Sequence, residues 1–277
     1  APALIILTVF VFYPLFRSIY LSLFETDFMA QPIFFTGLEH YRELWGSPRF
    51  RDSLKVTLLF TLCTVPTAII IAIPIALMGN LQVRGITFYR TIFISTIAVS
   101  TAIASVVWSW MFSPTVGVMN DILRMLGLDP IRWLQDPNWA LTSVAITTVW
   151  KELGLNVLFI LAALQGVPEE LYEAARIDGA TGWRLFRSIT LPMISPTIFF
   201  LLVVGTMDAF RSFTQVHIMT QGGPLRTTSV LVYSIYRDAF INFRYGFASA
   251  QAVTLFLILL ALTLIQFRVA ERRVHYQ

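Results

Sequence analysis

The chain has 277 residues, 56% hydrophobic and only 13% charged, and its mean hydropathy is +0.71. A soluble domain carries roughly 25% charged residues to keep its surface wet, so a water-soluble globule is excluded and a membrane protein is the class that remains. The net charge of +4 comes from scattered arginines without a like-charge block, which excludes a nucleic-acid face, and the single Cys63 excludes a disulfide framework and a cysteine metal site.

A span needs about 20 mostly apolar residues to cross the hydrocarbon. Six stretches qualify in chain order: 1–24, 54–78, 91–112, 139–164, 196–218 and 246–267. Backbone groups cannot stay unpaired in lipid, and the alternation of a barrel is absent, so each is expected to be a helix. The first stretch is too long for the apolar region of a signal peptide and no small-residue cleavage pattern follows it. With Ala1 lying almost at once in the apolar run, a short tail is expected to precede it. No internal repeat or low-complexity segment stands out.

An even number of spans puts both ends on one side. Loop arginines should say which side. They tie: Arg84, Arg90, Arg176, Arg184, Arg187, Arg268, Arg272 and Arg273 fall on the terminal side, against Arg42, Arg49, Arg51, Arg124, Arg132, Arg226, Arg237 and Arg244 opposite. The terminal-side loops are shorter and so denser in positive charge, which leans towards both ends in the cytoplasm.

The segment 166–196 reads GVPEELYEAARIDGATGWRLFRSITLPMISP. Pro168 presets first-turn geometry and Glu169 and Glu170 complement the positive end of a helix. Leu171, Tyr172, Ala174, Ala175 and Ile177 give that helix an apolar side, and Gly179 ends it, because glycine readily takes the left-handed conformation of a helix stop. A second short helix over 183–189 is expected to break before Pro192. On periodicity alone this is a solvated amphipathic loop between spans.

The order Glu173-Ala174-Ala175, three residues, Gly179, nine residues, Ile189, one residue, Leu191-Pro192 resembles the EAA loop of binding-protein-dependent ABC importer permeases. The resemblance implies an all-α membrane protein with the type I importer permease fold, six transmembrane helices and a cytoplasmic coupling helix. It implies one permease domain over 1–277, with the loop 166–196 docking on an ATPase subunit and both termini inside. Glu173, Ala174, Ala175, Asp178, Gly179, Leu191 and Pro192 are then the coupling residues, the small side chains seating closely and the acids bonding basic groups.

Tyr13-Pro14, Gly37-Leu38-Glu39-His40-Tyr41, Leu164-Gln165 and Thr220-Gln221-Gly222-Gly223-Pro224 look like the sugar-permease branch. The ending, with Gln266-Phe267-Arg268 and Arg272 to Gln277, is similar to permease subunits for sn-glycerol 3-phosphate. The resemblance implies that solute or glycerophosphodiesters, with a di- or oligosaccharide as the alternative. It also implies a second homologous permease chain, an ATPase dimer carrying ATP and magnesium, an extracytoplasmic binding protein and surrounding lipid. No cofactor of this chain's own is expected.

Ionisable residues inside spans are costly and usually face a cavity or a partner. Lys151 and Glu152 fall midway along the fourth span, and Asp208 and Arg211 three apart in the fifth. Lys151, Asn156, Asp208, Arg211 and Gln215 are candidates to line a pathway for a polar solute, Lys151 or Arg211 meeting a phosphate. The alternative is that Asp208 and Arg211 neutralise each other and Lys151 pairs with Glu152 or a neighbouring subunit. Trp108, Trp110 and Trp150 read as packing or interface anchors.

The long segments 25–53, 113–138 and 219–245 are candidates to receive a binding protein. There is no G-x-x-x-x-G-K-[ST] phosphate loop, H-E-x-x-H or G-x-S-x-G, and His40, His217 and His275 are isolated. A self-sufficient secondary transporter would bring internal repeats, and neither it nor a structural membrane protein needs to grip an ATPase.

Overall fold

The computed structural model describes residues 2–270; Arg272, Arg273, His275 and the Arg272 to Gln277 ending lie outside the described residues. Among the described residues five helices are long and apolar enough to cross a membrane, and a bent pair makes six where its two halves count as one span. They are α1 (Pro2–Leu21), α3 (Pro48–Gly79), the pair α4 (Ile86–Ala98) and α5 (Thr101–Met111), α7 (Ala140–Gln165), α9 (Gly182–Phe210) and α12 (Tyr245–Ala270). Shorter elements join them: a hairpin of β1 (Phe24–Thr26) and β2 (Pro32–Phe35), and α2 (Glu39–Gly46), α6 (Val118–Met125), α8 (Glu169–Ile177), α10 (Thr214–Met219) and α11 (Leu231–Tyr236).

The core forms where α3 lies along α7, with α9 against both. Phe60, Val65, Ile69, Val144, Val157, Ile160 and Leu201 are buried there. Such contact requires small residues where backbones meet. Gly154 is one: its N–H donates to Thr96 Oγ1 at 3.0 Å, tying α7 to the end of α4. A second cluster, with Leu44, Phe50, Phe210, Leu231 and Phe247, joins α2, the start of α3, the end of α9, α11 and the start of α12. By contrast α1 keeps nearly all of its side chains exposed.

Three expectations are corrected. The stretch 91–112 is not one straight helix, because α4 and α5 meet at 105°. Val99 and Ser100 are extended, and the Ser100 hydroxyl accepts from Ile103 N–H at 3.3 Å, starting α5 afresh as its N-cap. The chain also does not break before Pro192. A π-turn over Phe186–Thr190 lets the Leu191 N–H reach Phe186 O, five residues back, and the helix runs on to Phe210. Widening the backbone immediately before a ring that has no N–H and would crowd the preceding turn lets the proline stay inside the helix. The same device recurs in α1, where a π-turn over Thr8–Phe12 precedes Pro14. Third, the stretch 196–218 is not a single helix: α9 ends at Phe210, and Arg211 to Phe213 separate it from α10.

Candidate functional site

Two sites are linked by one continuous piece of chain, α8 into α9. The first is the exposed helix α8. Pro168 takes φ −59° and ψ 131° at its start, with Glu169 and Glu170 in the first turn. Its end is a Schellman motif. Ala180 N–H donates to Ala175 O at 2.8 Å and Gly179 N–H to Arg176 O at 3.0 Å, while Gly179 holds φ +79°. Ala180 is buried beneath the stop. Asp178 is the last residue before it, and Glu173, Ala174, Asp178 and Gly179 face outward, with Ala175 half-buried.

What fixes α8 to the membrane body is the start of α9. The Tyr172 and Thr190 hydroxyls lie 3.3 Å apart, Thr190 being buried, and Trp183 stacks on Phe186 with ring centres 5.1 Å apart. Leu191 and Pro192 are half-buried inside α9, so they set the entry of that helix and do not share the exposed face of Glu173. Ile177 and Trp183, 87% and 72% exposed, leave large apolar side chains open around the stop, the anchors that a docking face uses.

The second site is a cavity of about 280 Å³ about half-way along α3 and α7. Thr64 and Ala68 of α3, Thr148, Glu152 and Asn156 of α7, and Gly205 and Asp208 of α9 line it. The segment after α9 closes one side with Arg211, Ser212 and Gln215, the Ser212 hydroxyl donating to Gln215 Oε1 at 3.2 Å. Four of the five expected pathway residues, Asn156, Asp208, Arg211 and Gln215, therefore converge on one space. Lys151 is absent from its lining, and the neighbouring Glu152, which the reading of the spans left out of the pathway set, takes that place. Arg211 reaches it from the cap of α9, outside the regular helix.

Among the described residues the ion pairs are Glu25–His40, Asp121–Arg124 and Glu43–Arg244. Asp208 and Arg211 do not pair, and neither do Lys151 and Glu152. Among the described residues the cavity thus presents two carboxylates and one guanidinium without an ion pair between them, beside threonine, serine and amide groups. The tryptophans pack or face outward: Trp108 is buried, with its ring centre 5.9 Å from that of Trp150, and Trp110 is exposed. No group of acidic, histidine and cysteine residues able to hold a metal occurs among the described residues.

Comparison with known proteins places these features. Residues 44–276 match the family model described as "Binding-protein-dependent transport system inner membrane component". The sn-glycerol-3-phosphate transport system permease protein UgpA of Agrobacterium fabrum is 40% identical over 100% of this chain and 94% of that relative. The crystal structure of a bacterial ABC transporter involved in the import of the acidic polysaccharide alginate superposes with a TM-score of 0.84 at 27% identity, covering 99% of this chain and 94% of that one. The alginate transporter in complex with an alginate pentasaccharide-bound periplasmic protein gives 0.83 at 26% identity, with the same coverage.

Proposed function

The chain belongs to the binding-protein-dependent transport system inner membrane components, and on that premise we propose that it carries sn-glycerol 3-phosphate or a glycerophosphodiester into the cytoplasm. It is a multi-pass inner-membrane permease subunit of an ABC importer, not an enzyme. A second, homologous permease chain completes the pathway, and an ATPase dimer binding ATP and magnesium drives it. An extracytoplasmic binding protein delivers the solute. Both termini and α8 face the cytoplasm.

The observation that carries the mechanism is the covalent line from α8 through the π-turn into α9 and on to Asp208 and Arg211. ATP-driven closure of the ATPases shifts α8 through Glu173, Ala174 and Asp178, held by the Gly179 stop. Because α9 begins three residues after that stop, its far end moves with it, and the cavity exchanges outward for inward access. Arg211 supplies bidentate donors to a phosphate, while Asn156, Gln215 and the carboxylates Glu152 and Asp208 meet hydroxyls.

A second reading has its own support. Two carboxylates against one guanidinium suit a neutral, hydroxyl-rich solute, so a di- or oligosaccharide is the alternative cargo. The complex copurified through this subunit, reconstituted in liposomes with its binding protein, separates the two. ATP-dependent uptake of labelled sn-glycerol 3-phosphate or glycerophosphocholine supports the first reading. Uptake of a disaccharide alone selects the second, and uptake without any ATPase subunit overturns both.

A further inference from the structure

A third polar cluster lies at the end of the bundle opposite α8. Helix α3 runs from Pro48 to Gly79, and Gly79 sits beside Leu161, near the α8 end of α7; its first turns, with Arg49 and Ser53, therefore mark the far end. There a cavity of about 70 Å³ is lined by Arg49, Arg226 and Arg237, with Ser53, Ser229, Ser234, Asp238 and Asn242. The three guanidiniums come from three separate places: the start of α3, the 220–230 loop, and the π-turn Arg237–Ile241 that continues α11. Arg226 is held with φ +65°, a left-handed conformation that a long side chain adopts only where the surroundings impose it. Those surroundings include the buried Thr228 hydroxyl, which donates to Gly223 O at 2.7 Å.

None of the three arginines has an ion-pair or side-chain hydrogen-bond partner among the described residues. Ser53 and Ser229 are only 4% and 6% exposed, line this space and have unpartnered hydroxyls. Both acids here, Asp238 in the lining itself and Glu43 beside it, already have partners. Asp238 accepts from Gln251 at 2.6 Å and from Asn242 at 2.8 Å, and Glu43, in the adjoining hollow, is bound by Arg244 at 2.6 Å. Three guanidiniums against one already bonded carboxylate leave the lining net positive around unpartnered hydroxyls, a site that an oxyanion stabilises by charge-assisted bonds.

We propose that this cavity binds a phosphate group, as a free phosphate ester or as the headgroup of an anionic phospholipid. The site is separate from the transport cavity and does not depend on which solute crosses the membrane. The test uses the full chain with its copurifying subunits, in dodecyl maltoside and a buffer free of phosphate and sulfate. Inorganic phosphate is titrated by calorimetry, and retained phosphatidylglycerol is read by native mass spectrometry. The Arg211→Gln background removes the guanidinium of the transport cavity from the reading.

In that background, phosphate binding or lipid retention persists, and Arg226→Gln with Arg237→Gln weakens it about tenfold or more. Ser53→Ala weakens it less, Arg226→Lys with Arg237→Lys restores part of it, and Arg124→Gln, a paired surface arginine elsewhere, leaves it unchanged. Loss of phosphate binding identifies a free ester as the ligand; loss of phosphatidylglycerol alone identifies the headgroup. If the double glutamine variant holds both ligands as the parent does, the proposal fails. It fails equally if only capture of the binding protein changes, which would make the surface a protein-docking one.

Discussion

The charges that meet around the cavity carry opposite expectations for an anionic cargo. Among the described residues Arg211 is the only cation in the lining, so Arg211→Ala should raise the KM for uptake of sn-glycerol 3-phosphate about tenfold or more, the cost of a charged hydrogen bond. Glu152 faces the same space with the sign of the cargo. Glu152→Gln should therefore lower that KM several-fold, and should raise it for a neutral disaccharide if that is carried; saturation curves of the reconstituted complex decide both. Gly154 tests packing instead. A methyl group there would collide with Thr96 Oγ1 and stand 2.9 Å from Phe93 O, so Gly154→Ala should cost roughly 1–3 kcal/mol by overpacking, read as a lower thermal midpoint in detergent. Most of the cavity set was legible in the sequence because an ionisable or amide group inside a span is expensive and needs a reason. Which of the neighbours Lys151 and Glu152 turns inward was not, since packing of α7 on α3 and α9 sets that rotation. Thr64 and Thr148 carried no signal at all, because hydroxyls of this kind bond their own helix, as both do here at 2.8 and 2.9 Å.

The stop of α8 has a consequence for coupling at the scale of the element. Gly179 holds φ +79° with open space where a Cβ would stand, so a substitution there is opposed by backbone conformation and not by a clash. Gly179→Ala should destabilise the motif by about 1 kcal/mol, loosening the link between α8 and the start of α9. Solute-stimulated ATP hydrolysis and uptake by the complex should then come apart. Gly179→Asn, which tolerates the left-handed region, should retain more coupling than alanine. Equal and normal coupling in both variants would exclude this role. This helix was readable from its sequence because each of its signals is local: proline and acids at the start, glycine at the end. The breaks within spans were not, because they rest on contacts between distant segments. The bend between α4 and α5 is held where Thr96 meets Gly154, 58 residues away, and a proline alone cannot announce whether a π-turn will absorb it, as it does before Pro14 and Pro192.

The whole chain exposes 16660 Å², over a third more than the roughly 12,000 Å² of a compact monomer of its mass. Much of the excess is apolar, including Phe10, Phe16 and Phe88 at 73%, 64% and 74%, which suits a body that lipid and a companion chain cover. The orientation proposed for it rests on joining the two ends of α3 to the two functional regions. The Gly79 end lies beside Leu161 and hence on the side of α8, and the 80–85 loop follows it there; the start of α7, and with it α6, lies on the other. Arginine counts tie between the two sides and their density only leans towards cytoplasmic ends, whereas the coupling proposed for α8 requires that helix to be cytoplasmic. With Cys63→Ser as background, Met125→Cys and Val83→Cys place one thiol on each side, at side chains 86% and 56% exposed. A membrane-impermeant maleimide should label Met125→Cys in intact spheroplasts and Val83→Cys only after permeabilisation. The reverse pattern would put α8 outside the cell, where no ATPase can reach it, and the coupling assigned to Glu173 and Gly179 would fall with it.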